Sequence, residues 1–197
     1  DTYRPANWRV PRLQKQAHLT IFDTNGRLAG STDVDIRVHG NFSRVLPQKS
    51  IRIYPRKKYN PDGLPYDLFD SGQDVGHNRI ILRNGGNEYA ESRIKDAAIQ
   101  RIMAGLNFGT QRAQPVVLFL NGEYYGLLTA RDRQDQHYLA SMYHLPTRKV
   151  DILERHFEPD RGDADHWQPV LDLVETADTR SDAFYHDASK LIDLDNF

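Results

Sequence analysis

Cysteine is missing from this 197-residue chain, which excludes disulfides, thiolate nucleophiles and cysteine-ligated zinc. Apolar runs are short, and none approaches the roughly 18 residues that a membrane-spanning helix needs. Neither sign of charge is in excess: 26 Lys and Arg stand against 27 Asp and Glu, so duplex nucleic acid is not expected as a partner. The eight histidines are scattered from His18 to His186 without an i, i+4 or His-x-His pair, and no metal site is expected from them. No nucleophile elbow or dinucleotide fingerprint occurs, and the run GNFSRVLPQKS lacks the Gly-Lys-Ser/Thr of a P-loop. The chain opens at Asp1 without a signal peptide and reads as a processed or trimmed product.

What is present is enough for a core. Apolar residues make up 39% of the chain, with eight Phe, ten Tyr and two Trp, and 27% charge marks a globular composition. Alternating runs predict strands over 17–23, 33–39 and 49–54, then a short one ending at Gly85-Gly86. A stretch over 55–78 rich in Pro, Gly, Asn and Asp reads as an insertion. Residues 115–120 and 124–130 flank Asn121-Gly122, the favoured pair for a two-residue hairpin. Between these strands the period changes to 3.6, and a helix is predicted from about 90 to 105, packing through Ile94, Ala98, Ile102 and Met103. After residue 132 the pattern is mostly helical. Antiparallel strands first and helices later predict an α+β fold, and one helix before the last hairpin resembles the small lobe of a protein kinase.

The stretch IRVHGNFSRVLPQKSIRIYPRKKY gathers Arg37, Arg44, Lys49, Arg52, Arg56, Lys57 and Lys58 around a loop between two strands. Either this is a solvated hairpin or it is an anion site. Arg52, Arg56, Lys57 and Lys58 read as solvated, on the polar side and exit of a strand. Arg37 shares the polar side with Asp35 and His39, so a cross-strand ion pair competes with any binding role.

That stretch, followed in order by ILRNGGNE, IKDAAIQRIM, PVVLFLNGEYYGLLTARD and VDILE, resembles the spore coat protein H (CotH) kinase family from about residue 17 onward. The resemblance implies an atypical, kinase-like fold that transfers phosphate from ATP, with Mg²⁺ or Mn²⁺, to Ser of a protein substrate. It also implies a secreted, cell-surface or spore-coat location. Residues 1–132 would be the small lobe, with the insertion at 55–78, and 133–197 the truncated start of the helical lobe.

The same resemblance assigns nucleotide contacts. Lys49 would face phosphate and pair with a helix acid, with Asp96 preferred over Glu91 and Glu88. Gly40 and Asn41 form a turn whose backbone N–H groups can approach an anion, Ser43 adds a hydroxyl, and Arg37 and Arg44 add charge. Asp132, in RDRQD, would border the nucleotide. Arg83 is read either as reaching the site or as part of a helix entry with Asn87 as N-cap. His39 stands where the family more often has a second arginine. The family's catalytic Asp/Asn stretch and later metal-binding Asp are not among these residues. Asp193 and Asp195 lie two apart in a pattern that suggests a helix beginning at Asp193, and would diverge there instead of sharing an ion. Two classes of function follow: the nucleotide-holding part of a kinase, or a non-catalytic (pseudokinase) binding module of a spore coat or cell surface.

Overall fold

A computed structural model describes residues 13–69, 79–106 and 109–196. They divide into two compact units, one drawn from residues 13–103 and 111–133 and the other from 104–110 and 134–196.

The first unit is built on six strands: β1 (Gln14–Phe22), β2 (Leu28–His39), β3 (Ser50–Pro55), β4 (Ile80–Arg83), β5 (Ala113–Leu120) and β6 (Glu123–Asp132). They lie in the order β1-β2-β3-β4-β6-β5, with every neighbouring pair antiparallel. The turn residues explain the joins. Asp23 accepts from the backbone N–H groups of Asn25 (2.8 Å) and Arg27 (2.9 Å), which closes the β1–β2 corner. Asn121 and Gly122 both have positive φ, 51° and 83°, as the tight β5–β6 hairpin requires. Strands and hairpin thus follow the alternation read from the sequence, with ends that differ by no more than five residues.

Alternation gives the sheet two unlike faces. Val34, Ile51, Ile53, Ile80, Leu82, Leu128 and Ala130 form one buried cluster, and Leu64 covers it together with the partly buried Leu68 and Phe69. Each large member adds about 1.5–3 kcal/mol by leaving water. The stretch after β3 is therefore a packing element at least as far as Phe69. Its first turn folds to the other face, where Arg56 (3.0 Å) and Tyr59 (2.8 Å) donate to Asp35. The remainder of the expected insertion, 70–78, lies outside the described residues.

Helix α1 (Lys95–Met103) corrects the sequence reading in length and in facing. Residues 86–93 form turns, and Asn87 caps nothing. Glu88 takes that part from a distance, accepting from the backbone N–H groups of Lys95 (2.8 Å) and Asp96 (3.0 Å). The apolar stripe points away from the sheet: Ile94 is 59% exposed and Ile102 79%. The side turned inward carries Asp96, Ala97, Gln100 and Met103. Its polarity matches what lies beneath, because the sheet there presents arginines, and a buried guanidinium needs a carboxylate more than α1 needs apolar contact.

The second unit holds α2 (Gln136–Met142), a short hairpin of β7 (Ile152–Leu153) and β8 (Pro159–Arg161), α3 (Gln168–Thr176) and α4 (Asp182–Leu191). Asp135 caps α2 through the N–H groups of His137 (3.0 Å) and Tyr138 (3.4 Å), and Ser181 caps α4 through Phe184 (3.1 Å). Tyr138 donates to the carbonyl of Thr110 at 2.8 Å. Asp193 does not begin a helix: α4 ends at Leu191, and Asp193 instead accepts from Asn196 in a turn. Among the described residues no helix is long and apolar enough to cross a membrane.

Candidate anion site on the polar sheet face

Side chains that alternate with the core residues point to the opposite face. Strand register sets them in rows. One row runs Gln14, Arg37, Arg52, Ile81, Arg131, and the next places His39 beside Ser50 and Arg83 beside Thr129. Three arginines thus share a row across four strands. Like charges opposite one another destabilise a sheet unless something else is gained.

Arg52 is 9% exposed. Its guanidinium reaches the hydroxyl of Tyr54 (3.1 Å) and Nδ1 of His39 (2.7 Å), while its Nε is buried without a partner. Arg131 is still deeper, at 2% exposure; it donates to Asp96 (2.8 Å) and to Oε1 of Gln111 (2.7 Å), and its Nε is likewise buried and unpartnered. Arg83 lies 3.5 Å from the Asp96 carboxylate. The Tyr54 ring is flanked by the guanidinium carbons of Arg79 (5.1 Å), Arg56 (5.2 Å) and Arg52 (5.9 Å).

His39 records the field of this cluster. Burial, and then the charges of Arg52, Arg133, Arg83 and Arg44, lower its pKa to about 3, so its ring is neutral at physiological pH. At the β1 side of the face, burial raises the pKa of Asp35 but is outweighed by hydrogen bonds from Tyr59, Gln14 and Arg56, and its carboxyl sits below the usual range. Among the described residues the carboxylate that meets Arg83 and Arg131 is Asp96.

The residues singled out in the sequence divide between two places. Arg37 lies in the arginine row, and Arg44 stands in a short 3₁₀ turn (Phe42–Val45) close enough to bias His39. Gly40 has a φ of +108°, which favours glycine, and a Cβ there would lie 2.1 Å from the Ser43 hydroxyl, which would have to turn away. Asn41 is exposed beside it and Ser43 half-buried.

Lys49 departs from the expectation. It has the parity of the core residues Ile51 and Ile53, not of Arg52, and its amine turns back to the carbonyls of Arg44 (2.7 Å) and Leu46 (2.5 Å). Its N–H donates to Tyr125 (2.6 Å), whose hydroxyl returns a bond to the Lys49 carbonyl (3.1 Å). Among the described residues no ion pair joins Lys49 to Glu88, Glu91 or Asp96; Asp96 is taken by Arg131 and Arg83. The expected lysine–acid pair is replaced by an arginine–acid pair, because strand parity sends the two partners to different faces. Lys49 closes the Gly40–Leu46 turn, and burial lowers its pKa. Lys49→Met is expected to cost about 1–3 kcal/mol by leaving two carbonyls without a donor; the shift of the urea unfolding midpoint measures it.

Asp132 also faces away from the arginine row. It is fully buried and accepts from Arg112 at Nε (2.8 Å), Nη2 (2.8 Å) and the backbone N–H (3.1 Å). Arg112 in turn lies 4.4 Å over the ring of Phe69. In the RNGG corner, Asn84 is 1% exposed, bonded to Ser50 and to the Gln48 carbonyl, and it fixes the start of β3 against the end of β4. The residues that sequence reading missed are Arg52, taken as solvated, together with Arg131 and Arg133. Parity counted along each run separately shows Arg37, Arg52 and Arg131 on polar sides; only the strand order shows that the sides adjoin.

Set beside known proteins, residues 36–197 match a family model described as CotH kinase protein. No curated protein and no solved structure matches the chain.

Proposed function

The chain belongs to the CotH kinase family, and from that membership we propose that its first unit is the nucleotide-holding lobe of a protein kinase, whose arginine row receives the phosphates of ATP. The observation that carries this reading is the pair of guanidinium Nε atoms, on Arg52 and Arg131, buried without partners on one sheet face. An unmet buried donor on a cation is costly, and a polyanion drawn to this face would offset the charge of both guanidinium groups. Phosphoryl transfer asks a protein mainly to place a triphosphate and offset its charge, and a face lined by arginines supports that reading. Arg52, Arg131, Arg83 and Arg37 would hold the phosphates. Lys49 and Gly40 would act by shaping the turn that carries Arg44.

Among the described residues, no group of three His, Asp or Glu could hold a metal ion, and no step is assigned to Mg²⁺ or Mn²⁺ within them. Transfer to a Ser-containing protein substrate, and a place in a spore coat or at a cell surface, belong to the same proposal. This chain alone is expected to bind ATP and to leave a Ser-rich acceptor unlabelled when given labelled ATP with Mg²⁺. Labelling that persists after purification to constant specific activity would overturn that expectation.

Arg52→Ala tests the binding claim. It removes a buried, multiply bonded cation and is expected to weaken ATP binding about 10- to 100-fold. Lys57→Ala, at an exposed position, is expected to change it by no more than about twofold. Titration calorimetry gives both numbers, and circular dichroism checks that each variant is folded. Equal affinities for the two folded variants would remove the arginine row from the proposal. A non-catalytic module that holds another polyanion would show the same loss, but with tripolyphosphate bound as tightly as ATP.

A further inference from the structure

We infer that the arginine layer takes up one proton together with the polyphosphate it binds, and that His39 is the group that receives it. The inference rests on the anion reading above and adds to it a role for a side chain that the reading does not use.

The geometry of one hydrogen bond carries the argument. Arginine has no acceptor, so the 2.7 Å contact between Nη2 of Arg52 and Nδ1 of His39 requires the imidazole to offer its lone pair. In the anion-free protein His39 therefore carries its hydrogen on Nε2 and is neutral. A proton at Nδ1 would set N–H against N–H. Among the described residues, the charges that act on the ring are cationic: Arg52 on β3, Arg83 on β4, Arg133 just past β6 and Arg44 in the 3₁₀ turn. From β2 itself comes Arg37, in the adjoining row. The carboxylate on α1, Asp96, is bonded to Arg131 and lies beside Arg83.

A polyphosphate that engages Arg52 changes both conditions at once. Its negative charge offsets the arginines that keep the ring neutral, and its oxygens compete for the N–H that Arg52 gives to Nδ1. The freed Nδ1 then binds a proton from solvent and becomes a further donor to the anion. Burial holds the ring in place, so the gain is an added charge-assisted bond without rearrangement of the backbone. Linkage gives the consequence: with one proton taken up, affinity rises by up to about tenfold for each pH unit of acidification.

The probe is inorganic tripolyphosphate, titrated at pH 6 into the full chain in several buffers of different ionisation enthalpy. The slope of heat against ionisation enthalpy counts protons. The same series on His39→Gln subtracts the protons that tripolyphosphate itself exchanges. Wild type is expected to take up close to one proton more than His39→Gln. As a measurement that needs no variant, the ring ¹³Cε1 signal of His39 is expected to move to its imidazolium position on saturation. Equal proton counts with both proteins binding, or a His39 signal that stays neutral at saturation, would overturn this inference and leave the anion site intact. No binding by the wild type would overturn the anion site, and this inference with it.

Discussion

Arg112→Ala is expected to destabilise the protein by about 3 kcal/mol or more, because it strands a buried charge. Asp132 has no exposed surface, and the Arg112 side chain supplies two of its three hydrogen bonds, both at 2.8 Å. The backbone N–H of residue 112 remains at 3.1 Å, which keeps the loss near the low end of the range for broken buried pairs. Arg112→Ala also uncovers Phe69, over which the guanidinium lies. The reverse change, Asp132→Ala, should cost less, since Arg112 is 24% exposed and can turn to water. Replacing both by leucine is expected to recover much of the loss, as apolar pairs often match buried ion pairs of similar volume. Urea midpoints for the three variants give the ranking. ATP affinity decides between the two roles for Asp132: a folded Arg112→Ala protein should bind ATP as the wild type does. Lost affinity at unchanged stability would return Asp132 to the nucleotide, where its sequence context placed it.

The strands were legible because their signal is local. Val34, Ile36 and Val38 alternate, Ile51 and Ile53 alternate, and Asn121-Gly122 names its own turn. The family was legible because several short motifs keep their order. Facing was harder to read. Around α1 the residues Ile94, Ala98 and Ile102 stand four apart and mark one side of a helix, and pattern reasoning assigns that side to the sheet. The assignment holds only when the sheet surface is apolar. Here the helix sits on the face that carries Arg83 and Arg131, and Asp96 decides its rotation.

Lys49 fails for a related reason. A lysine at a strand start is legible, but whether it reaches forward to a helix or back to its own turn depends on parity with Ile51 and on the carbonyls of Arg44 and Leu46. Arg52 was passed over because a cation on a polar strand side is usually solvated. Its burial comes from Tyr54, two residues on along the same strand, and from His39 on the neighbouring strand, which only tertiary structure supplies. In both cases the residue type was visible, and its neighbours across the sheet were not.

Acidification should separate wild type from His39→Gln in stability as well as in binding. An unfolded chain holds its histidines near the ordinary pKa of 6.5, whereas folded His39 resists protonation down to about 3. The folded-state value is depressed, so the neutral ring's contribution is complete above 6.5. It is lost as pH falls toward 3, because the unfolded state binds the proton first. The expected slope is about 1.4 kcal/mol per pH unit for this one group. From pH 6.5 to 4.5 the wild type should therefore lose about 2–3 kcal/mol more than His39→Gln, in which a glutamine oxygen can still accept from Arg52. Carboxylates, among them Asp35 with its lowered pKa, titrate alike in both proteins and cancel in the difference. Chemical denaturation at pH 7, 5.5 and 4.5 gives the two curves. Parallel curves would mean that folded His39 takes a proton as readily as the unfolded chain does, and that the arginines around it do not act as one field.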